Sequence, residues 1–126
     1  QAMLRDWLNA VLKTGPVAQV KWIDDTAKIG REKQKQFLKY FIHLLEQAIR
    51  LRAMGTNNEQ RTLNNDHDFA IRLNKICSIG QQEAIINELD KASYYIERNA
   101  NAKMLFHALS IRLYHIISNK SVILMN

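Results

Sequence analysis

Histidine, cysteine and carboxylate side chains are where chemistry would first be sought, and in this chain their spacing argues against it. The histidines are His43, His67, His107 and His115, and the one cysteine is Cys77. A zinc or iron site draws several such ligands from short, recurring intervals, and no pair here has such an interval. His107 and His115 lie on one predicted helix roughly two turns apart, too far for one ion to bridge without a partner helix. Cys77 has no second thiol, so an internal disulfide is excluded and the residue reads as a small buried hydrophobe. No serine or cysteine sits in a nucleophile elbow, and neither a glycine-rich loop nor a P-loop lysine offers a phosphate cradle. Asp24 and Asp25 are adjacent, and adjacent helical residues point about 100° apart, which makes them a solvated face and not an acid pair. The expectation is a chain with no catalytic residue, no cofactor and no metal.

One charge feature stands above the background. Lys28, Arg31, Lys33, Lys35 and Lys39 are set against Glu32 alone, and on a helix Lys28, Arg31, Lys35 and Lys39 fall close to one line. Such a line can meet phosphates, can meet an acidic partner subunit, or can form a solubilising face whose stems cover apolar neighbours. Spacing does not choose among the three. The net charge of +6 and pI near 9.6 permit nucleic acid or an acidic partner without selecting either.

The elements that carry these residues follow from composition and periodicity. With 126 residues, 47% of them hydrophobic, four glycines and one proline, the chain has core material for one domain and too few breakers for a sandwich of short strands. The fold expected is all-α, a compact bundle of five to six helices over 1–126. No apolar run approaches the ~20 residues of a membrane span and no signal peptide opens the chain, so a soluble, cytoplasmic protein is expected. The chain starts at Gln1, which suits one domain of a longer protein.

A long helix between Gly30 and Gly55 is the organising element: its first turns are polar, then Phe37, Phe41, Leu44, Leu45 and Ala48 recur on one face. Before it, a helix over Ala2 to Lys13 is expected to bury Met3, Leu4, Trp7, Leu8, Val11 and Leu12. Thr14-Gly15-Pro16 then predicts a tight corner. The next helix, Pro16 to Lys28, is expected to turn Val17, Val20, Ile23 and Ala27 inward, with Trp22 packed beside them. The asparagine-rich segment 56–65 predicts a long loop. A fourth helix begins near Asp66, with Asp66 and Asp68 as caps, and ends before Gly80. A fifth covers Gln81 to Arg98, a sixth starts at Asn101 as its cap, and the tail 119–126 is expected to fray.

Two segments carry a family resemblance. Lys28-Ile29-Gly30-Arg31-Glu32-Lys33-Gln34-Lys35-Gln36-Phe37-Leu38-Lys39-Tyr40, preceded by Val20-Lys21-Trp22-Ile23, resembles the C-terminal region of the bacterial DNA polymerase III delta-prime subunit. Tyr95-Ile96-Glu97-Arg98-Asn99-Ala100-Asn101-Ala102-Lys103-Met104-Leu105-Phe106 is similar to that family's second signature, in which an asparagine-rich break opens the last helix. The similarity spans about Trp7 to Ile117. It implies a part of the clamp loader, the ATP-driven assembly that places the sliding clamp on primed DNA during replication. Within it, the chain corresponds to the C-terminal oligomerisation (collar) domain alone, and the N-terminal AAA+ part, with its Walker segments, zinc module and arginine-supplying motif, has no counterpart here. The partners implied are the gamma/tau and delta subunits, with DNA met only indirectly and no membrane or small-molecule substrate. Gly30, Arg31, Glu32, Lys33, Gln34, Lys35, Phe37, Asn99, Asn101 and Phe106 carry over as family-signature or subunit-contact positions, none of them catalytic. The stretch from Arg31 to Lys35 is expected at a subunit boundary or near the hinge to the AAA+ part. The competing expectations are a free-standing basic helical module that binds nucleic acid, and the collar of the related gamma/tau subunit.

Overall fold

The structure, a computed structural model, describes residues 2–54 and 65–118, with backbone alone at 65 and 66. The described residues form α1 (Ala2–Asn9), a π-helical continuation (Ala10–Thr14), α2 (Pro16–Ala27), α3 (Arg31–Ala53), α4 (Asn65–Ile76), α5 (Ile79–Glu97) and α6 (Ala102–Ser118), and no strand. The all-α expectation holds. Gly55, residues 56–64 of the loop expected over 56–65, and the tail 119–126 lie outside what is described, while Asn65 already belongs to α4, so Asp66 and Asp68 lie within that helix and not at its cap.

The long helix α3 is the spine. Phe37, Leu38, Phe41, Leu44, Leu45 and Ala48 are buried along it, as the three-and-four spacing requires. Lys35 meets Glu97 at one end and Arg52 meets the Cys77 carbonyl at the other, so α3 and α5 run antiparallel. Where α1, α2, α3 and α6 meet, the core is aromatic. The Trp7 and Trp22 rings stack with centroids 4.7 Å apart and planes 5° from parallel. Phe37 and Phe106 each touch both indoles, and Phe41 touches Trp7. Pairs of this kind contribute about 0.5–1.5 kcal/mol each beyond area burial. Both indole N–H groups are satisfied: Trp7 Nε1 donates to Ser110 Oγ at 2.8 Å and Trp22 Nε1 to the Met3 carbonyl at 3.0 Å. Trp22 is thus internal, as expected.

Three expectations are corrected. The first helix is α-helical only to Asn9 and then widens to π geometry through Thr14, where Gln19 Nε2 donates to the Ala10 carbonyl at 3.2 Å. On α2, Val17 and Val20 face outward, with Val17 85% exposed. The inward stripe is Gln19, Trp22, Ile23 and Thr26, set by the indole stack, and two polar members hide it from an apolar pattern. The third concerns Gly80, which lies inside the first turn of α5 and does not precede it. The break falls at Cys77-Ser78, because Ser78 makes a capping box with Gln81: Ser78 Oγ accepts from the Gln81 N–H at 3.1 Å and Gln81 Oε1 from the Ser78 N–H at 2.6 Å.

Candidate functional site

The start of α3 depends on the Gly30 backbone. Its φ of +93° is a conformation that side chains resist, and an added Cβ would meet nothing within 4 Å, so conformation and not space selects glycine. The next turns divide by direction. Glu32 and Lys33 point into solvent, with Glu32 favourably placed against the positive end of the helix dipole. Gln34 is buried and its Nε2 donates to the Thr26 carbonyl at 2.9 Å, tying α3 to the last turn of α2. The polar character of this turn gives no sign of that burial.

The α5–α6 corner faces the same turns. Asn99 takes the left-handed conformation at φ +66°. The Ala100 N–H donates to the Tyr95 carbonyl at 3.0 Å and the Asn99 N–H to the Ile96 carbonyl at 3.1 Å, the two bonds of a Schellman stop with asparagine in the usual glycine position. Asn101 then caps α6, its Oδ1 accepting from the Met104 N–H at 3.0 Å. Across this corner Arg31 Nη1 donates to Asn99 Oδ1, and Lys35 Nζ meets Glu97 Oε2 at 3.2 Å. The two segments that share the family resemblance, 68 residues apart at Arg31 and Asn99, are therefore in contact. Below that contact Phe37 from one and Phe106 from the other close on the same pair of indoles.

The expected basic line is broken at Gly30: Lys28 caps α2, so only Arg31, Lys35 and Lys39 of the four share a helix. Arg31 and Lys35 bind Asn99 and Glu97, while Lys28, Lys39 and, off the line, Lys33 are exposed. Tyr94 and Tyr95 are half-exposed, with the Arg98 guanidinium 3.7 Å over the Tyr94 ring, whereas Tyr40 packs against the core.

Two features escaped the sequence. On α6, Met104, His107, Ala108, Ile111, Tyr114 and His115 form an outward face with no formally charged residue among them. Met104 is 72% exposed and adjoins Val20 of α2, at a groove whose edge is held by Lys103 and Asp24 at 3.2 Å. The signal was available: apolar residues on α6 fall off the core stripe as well as on it. At the opposite end Arg52 donates to the carbonyls of Asn74 at 2.8 Å and Cys77 at 2.7 Å, closing α4, while Asn74 bridges the Ala48 carbonyl and Gln82. No periodicity announces a polar network of this kind.

Among the described residues no three His, Cys, Asp or Glu side chains stand where a metal could be held, and no helix is long and apolar enough to cross a membrane. The fold is that of an all-α bundle, with a junction between the start of α3 and the α5–α6 corner and an outer α6 face flanked by Lys103 and Arg112. Compared with family models, curated proteins and solved structures, the chain matches none.

Proposed function

We propose that the chain is the collar domain of a bacterial clamp-loader delta-prime subunit, acting in the cytoplasm during DNA replication. It holds the heteropentameric loader in fixed order, through the gamma/tau and delta collars, so that ATP-driven motions elsewhere open the sliding clamp. Its role is positional and needs no catalytic residue of its own. The observation that supports this reading best is the contact of the two resembling segments through Arg31 with Asn99 and Lys35 with Glu97. Segments that resemble one family in sequence and also build one junction form a joint structural unit, which two chance likenesses would have no reason to do. The uncharged α6 face adds support, since depletion of charge marks the core of an interface. The expected boundary contact from Arg31 to Lys35 rests on Glu32 and Lys33, exposed side chains that lie beside the Arg31–Asn99 junction.

Light scattering after size exclusion tests the proposal. The chain mixed with gamma-type and delta collar regions is expected to join a stoichiometric complex. Failure to associate at micromolar concentration, together with salt-sensitive binding to a DNA oligonucleotide, would replace it with the nucleic-acid-binding reading.

A further inference from the structure

A groove separates α1 and its π-helical continuation from α4. It is framed by Leu12, Phe69 and Ile76 below and by Arg5, Lys13 and Arg72 around the rim. Its charge is of one sign, with three cations and no carboxylate among the described lining residues. The other grooves between helices mix signs: Lys39 with Glu46, Asp90 and Glu97 between α3 and α5, Arg112 and Lys91 with Glu88 between α5 and α6, and Lys21 with Asp6 and Asp25 between α1 and α2. In the one-signed groove Ile76 leaves part of its side chain in water at the end of α4.

Size and lining choose the ligand. The groove measures about 230 Å³, below the roughly 300–1,000 Å³ of sites that enclose a cofactor or drug-sized molecule. It admits one or two side chains of a larger partner. A nucleic acid would engage the cations, but single strands gain much of their affinity by stacking on exposed aromatic rings, and the one ring here, Phe69, is buried. An apolar floor ringed by cations is complementary to a helix with apolar anchors flanked by carboxylates.

We propose that the α1–α4 groove docks an acidic amphipathic helix of a partner protein, its apolar anchors over Leu12 and Ile76 and its carboxylates on Lys13 and Arg72. This site lies apart from the Arg31–Asn99 junction and the α6 face, and it stands whether or not the collar reading does. The probe is a fluorescent helix-forming peptide with leucines at i, i+3, i+4 and i+7 and glutamates between them, titrated with the 126-residue chain and followed by anisotropy. Saturable binding that weakens as salt rises is expected, and the same peptide with lysines for glutamates is expected not to bind. The Lys13→Glu/Arg72→Glu double variant, altered only at exposed side chains, is expected to lose at least about tenfold in affinity with an unchanged far-UV spectrum. Ile76→Glu is expected to lose binding as well. Equal binding of the two peptides, wild-type affinity in the double variant, displacement of the peptide by a single-stranded oligonucleotide, or self-association that blocks the peptide would each overturn the assignment.

Discussion

Asn99 joins two constraints in one side chain. Its backbone adopts the left-handed conformation of a helix stop, and its amide oxygen receives the Arg31 guanidinium from across the bundle. Glycine would meet the first demand better than asparagine and the second not at all, and alanine would meet neither. Asn99→Ala is accordingly expected to destabilise the chain by about 1–2 kcal/mol, mainly through the left-handed backbone. Asn99→Gly is expected to stay within about 0.5 kcal/mol of the wild type, since an exposed charge-assisted contact is worth little. Urea denaturation midpoints at constant slope check both. If the glycine variant fell as far as the alanine variant, the Arg31 bond and not the backbone would be what holds the corner. Lys35 and Glu97 next to it are partly exposed and add no more than a surface pair does.

At the scale of elements, what the sequence makes legible is apolar periodicity, and what it hides is polar burial. The stripe from Phe37 to Ala48 reads directly, as do Ile85, Leu89, Ala92 and Ile96 on α5, because burial and hydrophobicity coincide there. On α2 they part: Gln19 and Thr26 belong to the inner side and Val17 and Val20 to the outer, so counting apolar residues turns the helix the wrong way. The start of α5 fails for a related reason. Gly80 is the conspicuous breaker, yet a serine three residues before a glutamine outranks it once the capping bonds form. Of the site, the Asn101 cap and Gly30 as the opening of α3 are readable, whereas Gln34, Arg52 and Asn74 act through carbonyls that no local pattern specifies. The capping box supplies a test. Ser78→Ala is expected to cost about 1 kcal/mol in a denaturant melt. Gln81→Ala should cost more, because Gln81 Nε2 also donates to the Ile116 carbonyl at 2.8 Å and so ties the start of α5 to the end of α6. Equal losses would mean that the tie to α6 contributes nothing.

For the whole molecule, the collar reading has assembly and folding draw on opposite sides of α6. Phe106, Leu109, Leu113 and Ile117 face the bundle, and Met104, Ile111 and Tyr114 face away, so a substitution on the outer side can alter association without opening the core. Ile111 stands near the middle of that outer face, about half exposed, with Arg112 at the margin of the face. A carboxylate placed there costs the isolated chain little, since it remains hydrated, but costs an assembled interface the desolvation of an unpaired charge. In the collar reading, Ile111→Glu is therefore expected to keep the wild-type melting temperature to within a few degrees, and to elute apart from the gamma-type and delta collar regions in light scattering. Lys33→Glu supplies the comparison at the start of α3, where charge reversal acts through long-range attraction that salt screens, so its effect should fade as ionic strength rises while that of Ile111→Glu persists. An Ile111→Glu chain that still assembled, with Lys33→Glu failing at low salt, would move the partner from the α6 face to the basic end of α3.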